Sequence, residues 1–329
     1  MLRTFCTLFI FFCTVGYTVL LAQPVNPYKY QPKDSVKATI AKPLPVPAEN
    51  PYKYQPKDTI PMYRYDTLNR TVTFEVGPIL GVMNPRTDIT EYPQIRTFQQ
   101  NIGAYASLQY KRIFGIRAEM NFGKLQEADT LNRSLTYIKR NLNYRTNIAE
   151  YSLSLEVYPL NILVKRFREG KRPTLQPYFT GGIGVFNFKP EVNLNGEWIY
   201  TRPLSLEGQG FPTHPDRRPY SLNAVSYPIG AGIKWDVDDW LAVRFEFVYR
   251  YTNTDYIDDI SKRYIDPADF YRFLPTIQMA DLAVILNKRQ YLPGNTLSPG
   301  EVRGLNDHTD GFYTFNLKVG IKFGCLCNR

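Results

Sequence analysis

The stretch AVRFEFVYRYT, from Ala242 to Thr252, alternates apolar and polar side chains with a period of two residues. That period is typical of a β-strand, whose successive side chains point to opposite faces of the sheet. One face carries Arg244, Glu246 and Arg250, and the other carries Val243, Phe245, Phe247, Tyr249 and Tyr251. The segment therefore predicts a strand with charges of both signs on one face and a continuous apolar face on the other.

Seven further segments alternate in the same way, which predicts eight strands in total. They are TVTFEVG (71–77), NIGAYASLQY (101–110), GIRAEMNFG (115–123), NIAEYSLSLEVYP (147–159), PYFTGGIGVFNF (177–188), SYPIGAGIKWDV (226–237) and FYTFNLKVGIKFG (312–324). Pro78 and Pro228 interrupt two of them. Because proline donates no ladder hydrogen bond, we expect a bulge or a strand end at each.

The polar faces of these strands carry opposite charges in mid-strand. The residues are Arg117, Glu119, Glu150, Glu156, Arg244, Glu246 and Arg250. We expect them to form a charge network inside a barrel whose apolar face meets lipid, since ion pairs in a narrow lumen find partners and hydrogen bonds. The alternative is the wet face of a soluble sheet, and alternation alone does not separate the two.

The connections between the segments favour a membrane barrel. Short turns such as KRIF (111–114) and DVDD (236–239) alternate with long connections, as in outer-membrane barrels, which have short periplasmic turns and long external loops. The turn LNILVKRFREGKRPT (160–174) is longer than this rule expects. A 12-residue strand tilted by about 40° rises about 31 Å, enough for an apolar band of about 25 Å. The predicted fold class is all-β: an eight-stranded antiparallel up-and-down transmembrane β-barrel with a disordered N-terminal segment.

The first 22 residues, MLRTFCTLFIFFCTVGYTVLLA, have one positive charge, an apolar core and a small residue before Gln23. They predict a secretory signal peptide, and the alternative is an uncleaved anchor helix. Cys325 and Cys327 are the cysteines that remain after residue 22, and we interpret them as unremarkable terminal residues. Export and a barrel together predict the cell outer membrane, with the N-terminal segment and the short turns in the periplasm.

Residues 23–70 are proline-rich and contain one decamer twice, NPYKYQPKDS from Asn26 and NPYKYQPKDT from Asn50. Low apolar content and frequent proline predict a disordered periplasmic tether. The residues expected to bind a partner are Tyr28, Lys29 and Tyr30 in the first copy and Tyr52, Lys53 and Tyr54 in the second. Two copies of a short ligand raise avidity for a repeated partner. A recent duplication without a role is the alternative. The barrel is then expected over residues 71–324.

Three segments resemble a known family: NYRTNIAEYSLSLEVYPL (143–160), PYFTGGIGVFNFKP (177–190) and RFEFVYRYTNTDYIDDISKRYIDP (244–267). The chain resembles the eight-stranded outer-membrane β-barrels of Bacteroidota, a family that includes PorG of the type IX secretion system. The resemblance covers about residues 71–324 and leaves out the decamers. It implies a barrel attached to protein-secretion or gliding machinery, and it implies no enzymatic activity.

No motif of a catalytic or cofactor site occurs in the sequence, so we predict no catalytic residues, no cofactor and no metal. Acidic residues cluster between Asp255 and Asp269, and clustered carboxylates can hold calcium. The alternative is a solvated acidic loop paired with Lys262 and Arg263.

The net charge of +10 and the mixture of signs favour anionic head groups or an acidic partner over nucleic acid. The expected partners are outer-membrane lipid and periplasmic or outer-membrane proteins of a secretion complex. No small-molecule substrate is expected. The predicted function is a structural or adaptor role in such a complex. A general envelope-stability or adhesion barrel is the alternative, and an outer-membrane enzyme comes last.

Overall fold

A computed structural model describes residues 63–65, 72–89, 95–132, 138, 140–163, 171–289, 298–304 and 309–325. The predicted signal peptide, both decamers and most of the proline-rich segment lie outside the described residues. Eleven strands and three α-helices are present in the described part. The strands are β1 (Tyr63–Tyr65), β2 (Val72–Arg86), β3 (Gln99–Tyr110), β4 (Phe114–Ala128), β5 (Asn143–Val157), β6 (Lys171–Pro173), β7 (Leu175–Leu194), β8 (Glu197–Tyr200), β9 (Asn223–Asp236), β10 (Leu241–Thr252) and β11 (Gly311–Cys325). The helices are α1 (Pro159–Leu163), α2 (Pro267–Phe273) and α3 (Ile277–Asn287).

Eight of the strands close into a barrel. Their order is β5-β4-β3-β2-β11-β10-β9-β7, and a further antiparallel pairing of β5 with β7 closes the circle. Every barrel pairing is antiparallel, and the first barrel strand β2 lies beside the last, β11. The prediction of a closed eight-stranded antiparallel barrel is confirmed. Each strand is longer than its sequence segment because its pairing continues beyond the strictly alternating residues.

Both expected interruptions at proline are wrong. β2 continues through Pro78 and β9 continues through Pro228. On the β11 side of Pro78 the paired residues step from Lys318↔Ile79 to Ile321↔Val76, so two pairings are missing while the register is unchanged. The backbones of β2 and β11 remain close together at this point, since a Cβ on Gly77 would lie 1.9 Å from the Val319 carbonyl oxygen. Each strand therefore loses ladder pairings on one side only and needs no bulge.

The outer face of the barrel is apolar on all eight strands. Representative exposed side chains are Leu80, Leu108, Ile116, Leu153, Ile183, Ile229, Phe245 and Phe315, one from each strand. The polar residues between them in sequence, such as Asn101, Ser107 and Asn121, are buried inside. A soluble barrel has the opposite polarity, so this surface is that of a transmembrane β-barrel. Among the described residues, no helix is long and apolar enough to cross a bilayer.

The two ends of the barrel differ. At one end, which we call the short-turn end, lie the strand termini Val72 and Cys325 and the turns at 111–113 and 237–240. The other end carries the connections 87–98, 129–142, 195–222 and 253–310, and we call it the long-loop end. The described parts of these long connections fold into a cap with an apolar core of its own.

Two apolar clusters build this cap. The mouth cluster fills the long-loop end of the barrel and contains Met83, Ile89, Leu125, Leu142, Tyr144, Ile148, Phe186, Phe188, Ala224, Ile257, Ile260 and Phe312. The helix cluster above it contains Val192, Leu204, Leu206, Phe211, Ile265, Phe270, Ala280, Ala283 and Leu286. The helices start at side-chain caps: Asp266 accepts a hydrogen bond from the Ala268 amide and Thr276 from that of Met279. The cap is therefore a packed unit rather than a set of solvated loops.

The long turn after β5 has a structural partner. Strand β6 within it pairs antiparallel with β1, in the register Tyr63↔Pro173, Arg64↔Arg172 and Tyr65↔Lys171. The two strands form a small sheet of their own at the short-turn end. This pairing accounts for a turn longer than the short-turn rule expects, because the turn provides a strand for the segment that precedes the barrel.

Replacing outward Leu153 by arginine tests the membrane-facing assignment. A cation near the centre of the lipid face is expected to lower the free energy of unfolding by about 2–4 kcal/mol. The matched control is Ile277→Arg on cap helix α3, since both side chains are exposed, at 54% and 71%. The control is expected to change the free energy by no more than about 0.5 kcal/mol. Urea unfolding in lipid vesicles measures both, and equal effects would contradict a lipid-facing Leu153.

Candidate functional site

The seven charged residues predicted for the barrel interior all lie inside it. Each is less than a tenth exposed: Arg117, Glu119, Glu150, Glu156, Arg244, Glu246 and Arg250. Strand alternation places them there, because each has the same inward parity as its buried polar neighbours on the strand. They come from β4, β5 and β10, and the ion pairs connect β10 with β4 and β5 across the lumen as well as joining residues within β4 and between β4 and β5.

Arg117 lies at the centre of the lumen and contacts three carboxylates. Its Nε lies 2.8 Å from Glu119, and its Nη1 lies 2.5 Å from Glu156 and 2.7 Å from Glu246. Lys318 approaches Glu246 at 2.7 Å from β11 and also pairs with Glu119. The guanidinium presents its donors in a fixed plane, so one arginine can hold carboxylates from three strands in place.

Arg244 extends the same network toward the short-turn end. It lies 2.7 Å from Glu156 and 2.7 Å from Glu75 on β2. Glu75 also pairs with Lys234 of β9 at 2.8 Å. Lys234 and Lys322 then share Asp236, at 3.8 Å and 2.8 Å. Five cations and five carboxylates are thus joined in one continuous chain of ion pairs, whose formal charge is zero.

Three tyrosines complete the hydrogen bonding of these carboxylates. The hydroxyl of Tyr105 donates to Glu75 at 2.6 Å, that of Tyr158 to Glu156 at 2.7 Å and that of Tyr178 to Glu246 at 2.6 Å. The guanidinium of Arg244 also lies over the rings of Tyr105 and Tyr178, at 5.4 Å and 5.5 Å from the centroids. Such cation–π contacts add to the attraction where water is excluded.

Sequence analysis left five members of this network out of the predicted set. They are Glu75, Lys234, Asp236, Lys318 and Lys322. Their strand parity carries the same signal, since each lies on the polar face of an alternating segment.

Arg250 and Glu150 form a separate pair nearer the long-loop end. Arg250 Nε lies 2.7 Å from Glu150. The Ser226 hydroxyl donates to Glu150 at 2.8 Å, and Arg250 donates to the Thr314 hydroxyl at 2.9 Å. The guanidinium lies 5.2 Å from the centroid of the Phe312 ring, which belongs to the mouth cluster. The lumen is therefore charged toward the short turns and apolar toward the cap. Side chains fill the interior, as expected for an eight-stranded barrel, which argues against an open channel through the described part of the lumen.

The other predicted site residues have no described surroundings. Tyr28, Lys29, Tyr30, Tyr52, Lys53 and Tyr54 lie outside the described residues. Outside the predicted set, His214 lies on the cap, where its Nε2 is 3.3 Å from Asp269. Within the ranges that the structure describes, no group of three or more His, Cys, Asp or Glu side chains has the arrangement of a metal site.

The acidic stretch from Asp255 to Asp269 is only in part the solvated loop of the alternative interpretation, since Asp266 is exposed and the middle of the stretch is buried. Asp258 and Asp259 are buried inside the cap, at 1% and 2% exposure. Asp258 accepts a hydrogen bond from the Ile260 amide at 2.9 Å, and Asp259 accepts one from the Tyr220 hydroxyl at 2.6 Å. Arg263 instead donates to the Gly300 carbonyl at 2.8 Å. The carboxyl groups of Asp258 and Asp259 therefore hold a backbone amide and a tyrosine hydroxyl in place inside the cap.

Burial perturbs the protonation of these carboxyl groups. Desolvation, with the negative charge of Asp88, raises the pKa of Asp258 well above its usual value. Desolvation and the Asp258 charge do the same to the pKa of Asp310. Desolvation raises the pKa of Asp255 to about 7 and that of Asp259 to about 6, although Arg303 opposes the second shift. The cap therefore holds a group of carboxyls that bind protons near neutral pH.

Comparison with known proteins gives structural likenesses alone. No protein-family model matches this chain, and no curated protein matches it. It is similar to Ail, the attachment invasion locus protein of Yersinia pestis, solved in complex with the heparin analogue sucrose octasulfate (8% identity, TM-score 0.33, covering 77% of this chain and 97% of that chain). It is also similar to Neisserial surface protein A (7%, 0.33, 77% and 97%) and to a major outer membrane protein from Thermus thermophilus (9%, 0.35, 77% and 99%). The fold assignment rests on this chain's own strand pairing and surface polarity.

Replacing Arg250 by leucine tests the stability of a lumen ion pair. Glu150 would keep the Ser226 hydroxyl as its remaining hydrogen-bond donor among the described residues. A buried carboxylate without its cation is expected to lower the free energy of unfolding by about 3–5 kcal/mol. Urea unfolding in lipid vesicles measures the change.

The control for this substitution is Lys189→Gln. Lys189 is half exposed and lies 3.5 Å from Glu191, so its removal is expected to change the free energy by no more than about 1 kcal/mol. Similar effects of the two substitutions would show that the Arg250 pair is solvated.

The cap is expected to open more readily at pH 8 than at pH 5. An unfolded aspartate has a pKa of about 3.9, whereas the pKa of Asp255 in the folded cap is about 7. Its contribution is fully present below the unfolded pKa and is lost as pH rises through the folded one. Hydrogen exchange of α3 amides, corrected for intrinsic rates, measures the opening. Asp255→Asn is expected to reduce the difference between the two pH values, and equal wild-type protection at both would oppose the assignment.

Proposed function

We propose that this chain is a non-enzymatic barrel of the outer membrane that anchors a protein complex of the cell envelope. In this proposal its N-terminal segment binds a partner in the periplasm. The apolar outer face on all eight strands supports residence in a bilayer. The close ion pairs of the lumen support a structural role, because Glu246, for example, already has Arg117, Lys318 and Tyr178 as partners.

The β1–β6 ladder is the observation that carries this proposal. It attaches residues 63–65 to the long turn at the short-turn end through paired backbones. The chain that precedes β1 therefore starts from this end of the barrel. Short turns of outer-membrane barrels face the periplasm, so the two decamers would extend into that compartment from a fixed point.

The sequence around this ladder favours an acidic partner. The turn LNILVKRFREGKRPT (160–174) contains five basic residues and one acidic residue, and Arg64 lies on the paired strand. A surface of one sign increases the rate of encounter with a partner of the other sign. The decamers are basic as well, each with two lysines and one aspartate.

The type IX secretion system is our proposal for the complex, on the resemblance of segments 143–160, 177–190 and 244–267 to the PorG-containing family. A general envelope-stability or adhesion barrel is the second candidate. The packed cap favours it, since the helix cluster gives the long-loop end an ordered surface. Co-purification from membranes separates the two, because an adaptor is recovered with a stable complex.

The tether prediction concerns the triplets Tyr28–Tyr30 and Tyr52–Tyr54. The decamers start 24 residues apart, which allows a span of at most ~80 Å at about 3.3 Å per residue. One chain could then reach two adjacent subunits of an assembly. Replacing one triplet by alanines is expected to weaken partner capture, and replacing both is expected to weaken it far more than twofold. A photo-cross-linker placed in the tether of intact cells measures the captured partner.

The matched control replaces Thr39–Ala41, between the decamers, by Ser-Gly-Ser. It keeps both triplets and is expected to capture the partner at the wild-type yield. Heat-modifiable migration confirms that the barrel folds in every variant. Should the double-triplet variant capture the same partner at the wild-type yield, the repeat is a spacer. The contact would then belong to Leu160–Thr174 or to another part of the barrel.

A further inference from the structure

We propose that a pocket in the side of the cap binds a sugar ring. The pocket has a volume of about 380 Å³ and lies where the start of β9, the end of β10 and the loop after β10 meet. The lining residues that carry the argument are Tyr220, Tyr256, Asp255, Lys262, Asn253 and Ser261. The inference goes beyond the anchoring function and does not depend on it, since the pocket lies at the long-loop end and the β1–β6 ladder at the short-turn end.

An aromatic stack forms one wall of the pocket. Phe188, Tyr220 and Tyr256 lie nearly parallel, with centroids 6.1 Å and 4.5 Å apart and interplanar angles of 10° and 8°. Phe188 is fully buried in the mouth cluster, so Tyr256 is the ring at the pocket end of the stack. The Tyr220 hydroxyl donates to Asp259 at 2.6 Å, which fixes the middle ring. A rigid ring of this kind offers a flat apolar surface for the C–H face of a sugar.

The polar groups of the pocket have mixed signs. Asp255 supplies a carboxylate, Lys262 an ammonium group, and Asn253 and Ser261 supply neutral groups. A cationic ligand would meet Lys262, and an anionic ligand would meet Asp255. A sugar hydroxyl both donates and accepts hydrogen bonds, so a neutral sugar can use the carboxylate and the ammonium group together.

Asp255 is the pocket residue whose capacity to accept hydrogen bonds is least used. Both of its carboxylate oxygens are shielded from water, and neither forms a well-aligned hydrogen bond within the described residues. Ser261 and Lys262 are close enough to favour its charged form, while the charges of Asp88 and Glu207 oppose it. Desolvation dominates and raises the pKa of Asp255 to about 7. A rotation of the Asp255 side chain toward the pocket would let hydroxyl groups of a bound sugar donate to it, in addition to Ser261, and a shielded carboxylate with few donors is unfavourable.

The position of the pocket indicates where such a sugar would come from. Asn223 and Asn253 are exposed at its edge, next to the outward-facing Tyr227 and Tyr251, which pair across β9 and β10. Outward aromatics near strand ends mark the membrane interface in outer-membrane barrels. A sugar at the membrane interface near Tyr227 and Tyr251 is either the headgroup of a glycolipid in the leaflet at the long-loop end or part of a free oligosaccharide. Both present the same ring and hydroxyl chemistry.

Binding to the full chain tests the proposal in two arms. In the first, the protein in detergent micelles is titrated with maltotriose and, separately, with triacetylchitotriose. In the second, nanodiscs with and without bacterial lipopolysaccharide are compared, and calorimetry is the readout in both arms. Saturable binding is expected in at least one arm. Tyr256→Ala is expected to weaken it about tenfold or more, which corresponds to about 1.4 kcal/mol.

Asp255→Asn keeps the shape of the side chain and is expected to weaken binding as well, because it removes the charged acceptor. It decides the test if Tyr256→Ala fails to fold. The control is Tyr271→Ala, which removes an exposed tyrosine of α2 outside the pocket and is expected to bind as wild type. Binding in the nanodisc arm alone identifies a glycolipid headgroup, and binding in the first arm alone identifies a free sugar. Absence of saturable binding in both arms, or wild-type affinity of Asp255→Asn, overturns the proposal.

Discussion

Charge neutrality inside a narrow, water-poor lumen is the constraint on which this structure depends. Lipid on the outside forces apolar side chains outward, and strand alternation then forces the polar ones inward. An unpaired charge there is costly, so each cation must meet a carboxylate from another strand. The continuous network from Lys322 through Arg244 and Arg117 to Lys318 meets this requirement. It also connects β2, β4, β5, β9, β10 and β11, so the barrel is held across its interior as well as around its circumference.

The cap covers the end of the barrel at which the inward-facing charges stop. Above the pair of Arg250 and Glu150, the inward side chains become apolar, with Ile148, Phe186 and Phe312 among them. An apolar barrel mouth must be covered, because exposing it to water is unfavourable. The long connections provide the cover by placing Ile89, Leu142, Ile257 and Ile260 on it, and the helices α2 and α3 pack above. Carboxyl groups such as that of Asp258 are buried at the same junction. Burial raises the pKa of Asp258, so this part of the cap, outside the membrane, responds to pH.

The two ends of the barrel therefore suit different tasks. The short-turn end carries the β1–β6 ladder, and the sequence of its long turn is basic. The long-loop end is large, packed and equipped with a pocket whose wall is the aromatic stack ending at Tyr256. We favour an anchoring protein with a periplasmic ligand on one side and a sugar-binding surface on the other. The side chains of the ion-pair network fill the lumen between the two ends.

The amino-acid sequence by itself determined the number of barrel strands, their faces and the inward position of Arg117, Glu150 and Arg244, because a period of two residues assigns each side chain to a face. It also indicated which connections are short. Only the tertiary structure decided which charges meet, since Glu75 with Arg244 and Glu119 with Lys318 come from strands far apart in sequence. The continuation through Pro78, the burial of Asp258 and Asp259 and the pairing of β1 with β6 were likewise decided there. Each depends on neighbours brought together by barrel closure, and no local pattern encodes which segments closure makes adjacent.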